Sequence, residues 1–161
     1  MFTIKAGYSD QIELEAPLER VREFFADLTN FAALMPGVAK VVIDNKGIAH
    51  WEIETTIPVV GSMRQRFMLE LAEESEERIE WFPIREETRN FLRFSADFLE
   101  RSANRTLVHF TQMVEMRRQS ARDLHTLAGL AGETIISNEM TRRVTEMIQT
   151  FIARAKEKLE K

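Results

Sequence analysis

From Ser120 to Lys161 the chain carries no proline, and its apolar residues recur at spacings of three and four almost to the end. Leu124, Leu127 and Ala131 begin the pattern; Ile136, Met140, Val144, Met147, Phe151, Ala155 and Leu159 continue it. That spacing lays one apolar stripe along an α-helix. Glu139, Arg142, Glu146, Arg154 and Glu157 fall on the opposite face. Gly129 and Gly132 interrupt the early part, which predicts a lead-in turn or kink and then a clean helix from about Glu133 to about Glu160. At 1.5 Å per residue it would run about 40 Å. Such a helix cannot bury its stripe on itself, so the rest of the chain must offer a broad apolar surface.

The preceding residues read as that surface. Phe2, Ile4, Ala6, Tyr8, Ile12 and Leu14 alternate with polar residues, with Asp10 the exception on the apolar side, and predict a strand with one buried face. Ala16-Pro17 stops it, and Val21, Phe24, Phe25 and Leu28 follow at helical spacing, predicting a short helix from Leu18 to about Leu28. Thr29-Asn30 offers a fresh N-cap, and Phe31, Leu34 and Met35 make a second short helix that Pro36-Gly37 ends. Six strands come next, separated by turn signals at Asn45-Lys46-Gly47, Pro58–Ser62, Glu73–Glu77, Arg85–Arg89 and Ser102-Ala103-Asn104. Their inward parities carry Trp51, Ile53, Thr55 and Ile57, then Met63, Gln65, Phe67, Leu69 and Leu71, then Ile79 and Trp81. Leu92, Phe94, Ala96 and Phe98 follow, and lastly Val108, Phe110, Gln112, Val114 and Met116.

Short turns between successive strands mean antiparallel neighbours, and helices set apart from a run of strands mean α+β. The expectation is one domain over residues 1–161, a curled seven-stranded antiparallel sheet around the long C-terminal helix, with two short helices after the first strand.

Composition removes several function classes. No apolar run approaches 18 residues, and the N-terminus lacks the basic, apolar and small-residue regions of a signal peptide, so a cytoplasmic protein is expected. Without cysteine there are no disulfides, thiolate metal sites or cysteine nucleophiles. His50, His109 and His125 have no ligand spacing among them, and no metal or cofactor motif is present: no P-loop, no dinucleotide fingerprint and no nucleophile elbow. Residues 1–116 hold 13 Lys+Arg against 20 Asp+Glu, whereas residues 117–161 hold 9 against 6. Cations near a helix C-terminus account for that bias, and a basic face toward an acidic partner or membrane surface is the alternative. Nucleic acid is not an expected partner of a chain that is acidic overall and lacks a basic-aromatic patch.

The segment Ile12-Glu13-Leu14-Glu15-Ala16-Pro17-Leu18-Glu19-Arg20-Val21-Arg22-Glu23-Phe24-Phe25, the turn Leu34-Met35-Pro36-Gly37-Val38 and the order of elements resemble the Bet v 1-like helix-grip superfamily, also called START or SRPBCC. The resemblance spans the whole chain and is nearest to polyketide cyclase/dehydrase and carbon-monoxide-dehydrogenase-subunit-G-like members. It implies a cavity between sheet and helix that takes a lipid, quinone, polyketide or similar apolar molecule. The fold does not choose among these.

On this reading Trp51, Phe94, Phe110, Met140, Met147 and Phe151 supply apolar contacts to the ligand, and Gln112 is a polar anchor on an otherwise apolar face. Each is equally a candidate for ordinary core packing. No catalytic residue is assigned. A cyclase or dehydratase is the alternative and would need a titratable group inside the cavity, with His109, Asp10 and Tyr8 the first to inspect; strand parity turns His109 outward. A third expectation is an accessory protein that contacts a membrane or a partner enzyme. Arg64, Arg66 and Arg93 fall on the polar parity of their strands, either solvated or forming a cationic patch at a cavity mouth.

Overall fold

A computed structural model describes residues 1–161 apart from positions 59 and 126. Val59 in the expected Pro58–Ser62 turn and Thr126 in the proline-free C-terminal stretch therefore lie outside the described residues. Strand β1 (Phe2–Leu14) is followed by helices α1 (Leu18–Ala26) and α2 (Thr29–Leu34). The strands β2 (Val38–Ile43), β3 (Ala49–Ile57), β4 (Gly61–Glu74), β5 (Arg78–Pro83), β6 (Asn90–Ser102) and β7 (Arg105–Arg118) come next. Short helices α3 (Ala121–Leu124) and α4 (Ala128–Ala131) lead into α5 (Glu133–Leu159). The α+β reading holds: a curled, seven-stranded antiparallel sheet faces one long C-terminal helix, and two short helices follow β1.

The strand order β1-β7-β6-β5-β4-β3-β2 pairs each strand from β2 to β7 with its sequence neighbour. The first strand then returns to pair with the last along its whole length, from Phe2 opposite Arg118 to Leu14 opposite Thr106. That long-range pairing joins the first strand to the last. The corner between β1 and α1 is tied to β7 by Thr106, fully buried, whose hydroxyl donates to the Ala16 carbonyl at 2.9 Å.

Helix α5 begins and ends within a residue of its expected bounds. Gly132 sits at φ +90, a conformation open to glycine, and separates α4 from α5. Ile136, Met140, Val144, Met147, Phe151, Ala155 and Leu159 are all buried, as the stripe predicts, and Ile148 joins them. The polar face also works on the sheet. Thr141 donates to the Lys5 carbonyl at 3.2 Å, and Lys156 to the Glu13 carbonyl at 3.1 Å. The Glu160 carboxylate accepts from the Glu15 amide at 3.0 Å. Two carbonyls of the edge strand β1, those of Lys5 and Glu13, are thus taken by helix side chains, which partly blunts it as a template for another strand.

Two details differ from the pattern: Leu71, expected on the inward face of β4, is exposed where the pairing with β5 shifts register after it, and one helix boundary moves. Helix α1 stops at Ala26, because the Asp27 carboxylate accepts from both the amide and the hydroxyl of Thr29, at 3.0 and 2.6 Å, and starts α2 there. The hairpin between β2 and β3 forms at Asn45-Lys46-Gly47 as expected, with Gly47 at φ +84 and the Asp44 carboxylate accepting from the Lys46 and Ile48 amides.

Candidate functional site

The space between sheet and α5 has two unlike halves. In one, α2 drives Phe31 into the interior. Its ring stacks on Phe151 at 4.5 Å between centroids and meets Phe94 at 4.8 Å and Trp51 at 5.4 Å. Phe110 lies 5.9 Å from Phe151 and 5.8 Å from Phe25 of α1. These side chains are fully buried, and together they make a filled aromatic cluster.

In the other half a void remains. Met140, Val144, Met147 and Ile148 of α5 roof it; Ile53 and Thr55 of β3, Gln65 and Phe67 of β4, and Gln112, Val114 and Met116 of β7 form its floor and walls; Met35 closes the side toward α2. Measured as the volume open to the centre of a water molecule, it is ≈ 20 Å³. A single water needs about 10–15 Å³ on that measure. The void therefore has room for one small group, and a larger occupant requires its walls to move.

Four of those walls are methionines, unbranched side chains that re-pack at low cost. Met147 is also the partition between the void and an open cleft of ≈ 290 Å³ lined by Pro36, Gly37, Glu54, Thr55, Thr56, Arg143, Glu146, Met147 and Thr150. Thr55 and Met147 belong to both. The Met147 thioether rests on Gly37, where an added Cβ would come within 2.9 Å of its methyl carbon and 2.8 Å of the Glu54 carbonyl oxygen. Gly37 is at φ +88, so glycine both permits the turn and leaves room for the methionine.

The polar content of the void is small. Gln112 is 1% exposed, and its Oε1 has no hydrogen-bond partner. The Thr55 hydroxyl has only the Met140 sulfur, at 3.6 Å. The Gln65 Oε1 accepts from Arg118 at 2.9 Å. None of the lining side chains is an acid or a base in the neutral range.

Of the residues singled out from sequence, Gln112, Met140 and Met147 come together on the void. Trp51, Phe94, Phe110 and Phe151 come together in the aromatic cluster instead, around Phe31. Tyr8, on the edge strand β1 opposite Gln112, is partly buried against the core, whereas Asp10 and His109 are exposed. The Tyr8 hydroxyl donates to Asp10 at 3.2 Å, and the exposed His109 Nε2 is 2.9 Å from the Ser9 hydroxyl. Arg64 and Arg66 pair with Glu52 and Glu54 on the outer surface, and Arg93 lies over the Phe82 ring. The Ser62 hydroxyl and then Arg64 hold Glu54 below the usual carboxylate range. Among the described residues no group of three acids or histidines is placed to hold a metal ion.

Met35, Gln65 and Met116 also line the void, although the sequence marks Gln65 and Met116 only as inward-facing and Met35 only as the end of a short helix, and it gives Arg118 no role. Continuing the even parity of β7 past Met116 would have marked Arg118 as inward-facing. It is 7% exposed and the one charged residue of the buried set among the described residues. No helix of the described residues is long and apolar enough to cross a membrane.

No protein-family model matches the chain, and no curated protein matches it. Solved structures do. The Zhui aromatase/cyclase from Streptomyces sp. R1128 aligns over 94% of this chain and 93% of its own, with a TM-score of 0.57 at 17% identity. The di-domain ARO/CYC StfQ from the steffimycin biosynthetic pathway aligns over 98% of this chain with a TM-score of 0.61 at 12% identity, and the present chain spans about half of it, 51%. A START superfamily protein from Mycobacterium smegmatis aligns over 87% of this chain and 97% of its own, with a TM-score of 0.52 at 15% identity. At such identities the likeness concerns architecture, and it agrees with the element order and the strand pairing: the chain has the Bet v 1-like helix-grip fold of the START and SRPBCC proteins.

Proposed function

We propose that this protein binds a hydrophobic small molecule between its sheet and α5, with access past Met147. The observation that carries this reading is the methionine-walled void with an unpaired Gln112 oxygen, one side chain away from an open cleft. A buried acceptor without a partner is costly, and a ligand hydroxyl or amide donor relieves that cost. Ligand pockets commonly combine apolar walls with a few such polar groups. Met140 and Met147 then contact the ligand, Gln112 anchors it, and Trp51, Phe94, Phe110 and Phe151 form the firm apolar wall behind Phe31 that keeps the sheet curled while the methionines re-pack. Solved neighbours named as aromatase/cyclases and as a START superfamily protein support an apolar ligand of lipid or polyketide character. Binding or carriage is favoured over cyclisation because none of the lining residues can donate or accept a proton as general acid or base.

The test is native mass spectrometry of the protein as purified, followed by denaturation and extraction. A released apolar mass, lost on Met147→Trp substitution, supports the reading. Retention of the same mass by that variant would place the ligand outside the void and refute it.

A further inference from the structure

The buried charge at the end of β7 belongs to a second cleft, apart from the void. Arg89, Arg117 and Arg118 line it with Thr88, Gln119 and Asp123, and it measures ≈ 440 Å³. The ends of two strands bring these arginines to one corner. The Arg89 carbonyl, just before β6, accepts from the Arg117 amide at 2.8 Å and from Arg118 Nη1 at 3.4 Å. Arg89 and Arg117 are exposed, whereas Arg118 is buried.

The cleft is short of counter-charge. Asp123 is the one acid of its lining, and its carboxylate accepts from the Ser120 amide and hydroxyl at 3.2 and 3.5 Å. Arg117 is paired with Glu115, which lies outside the lining. Arg89 and Arg118 form no ion pair with any described residue. The acceptors around Arg118 are neutral. Nη2 donates to Asn90 Oδ1 at 2.7 Å and to Gln65 Oε1 at 2.9 Å, and Nη1 donates to the Arg117 carbonyl at 2.8 Å. Its Nε is buried without a partner. Burying a guanidinium removes its hydration, and neutral dipoles return only part of that loss. Burial, and then the Arg89 charge, hold the Arg118 pKa below the ordinary arginine range, while Glu87 and Asp123 act the other way. An arginine stays charged even so.

We propose that this cleft binds a phosphate group, with Arg89 and Arg117 donating to its oxygens from the rim and Arg118 supplying a fixed positive charge on the buried side. Three arginines against one aspartate leave a surplus of two positive charges in the lining. That matches the roughly −1.5 to −2 charge of a phosphate monoester near pH 7. Guanidinium groups donate in forks that fit phosphate oxygens, and charge-assisted hydrogen bonds are the stronger kind. A bound phosphate also offsets the repulsion between Arg89 and Arg118. The phosphate has two sources, a soluble ester and a lipid headgroup.

Calorimetric titration with inorganic phosphate, at an ionic strength held constant with sodium chloride, tests this. The wild-type protein should bind phosphate saturably. Arg89→Gln, a change at an exposed side chain, should weaken binding about tenfold or more. Arg142→Gln, on α5 where it pairs with Glu139 and Glu146, should leave it unchanged. Sedimentation with phosphatidylcholine vesicles that carry phosphatidic acid separates the sources. Co-sedimentation that inorganic phosphate reverses names a lipid headgroup; phosphate binding without co-sedimentation names a soluble ester. Absence of saturable phosphate binding by the wild-type protein, which needs no variant to fold, overturns the inference. Equal affinity in Arg89→Gln, or an equal loss in Arg142→Gln, also overturns it. The hydrophobic ligand of the void is tested separately and stands whatever the cleft does.

Discussion

Gln112 separates folding from binding. Its Oε1 is buried with no partner, so the free protein bears the cost of an unsatisfied acceptor. Gln112→Leu removes that atom and keeps most of the volume. Urea denaturation should show stability held or raised by up to about 1–3 kcal/mol, while ligand retention falls. A clear loss of stability would mean that the amide serves the fold and not an occupant. Thr106 gives the opposite expectation. Its hydroxyl is the partner of the buried Ala16 carbonyl, and Thr106→Val leaves that carbonyl alone. Stability should drop by about 1–3 kcal/mol in the same measurement, with ligand binding unaffected.

At the scale of elements, the turn before β2 and the roof of α5 act together. Gly37→Ala puts a Cβ within 2.8 Å of the Glu54 carbonyl oxygen and 2.9 Å of the Met147 methyl, at a φ of +88. The left-handed conformation alone costs roughly 1–2 kcal/mol for a residue with a Cβ. Thermal unfolding should report at least that loss, and the displaced Met147 should speed ligand release; an unchanged release rate would show that Met147 is not the partition. The β2–β3 hairpin makes a pH prediction. Hydrogen bonding from His50, then from the Ile48 amide, lowers the Asp44 pKa in the folded chain. A depressed carboxylate contributes stability that is present above the unfolded value, about 3.9, and lost as pH falls through the folded one. The gap in urea midpoint between wild type and Asp44→Asn should therefore be present at neutral pH and close in acid. A gap that stays constant down to acid pH would contradict this.

Across the whole molecule, periodicity carried most of the architecture. The stripe of α5 and the even parity of β7 are strong because one face is wholly buried, and a one-residue slip would have exposed it. What periodicity could not say is which inward side chains meet each other and which meet a void. Phe31 decides that, by entering from a six-residue helix and filling the space among Trp51, Phe94, Phe110 and Phe151. The void is left to methionines, whose packing depends on three dimensions and not on spacing. Asp10 also departs from its alternation, since the middle of β1 carries an exposed run from Ser9 to Gln11. Phe31→Ala should cost about 3–5 kcal/mol if the cluster is the rigid half of the interior.

The most direct test of a ligand-accepting interior is methyl NMR of the methionines, titrated with 1-naphthalenemethanol. Eight methionines give eight methyl signals, and four of them, Met35, Met116, Met140 and Met147, line the void. These four should move on saturation while Met1, Met63, Met68 and Met113 stay in place. If the four hold still at saturating concentration, or if only exposed methyls such as Met1 and Met113 respond, the interior is a filled core and the proposed function fails.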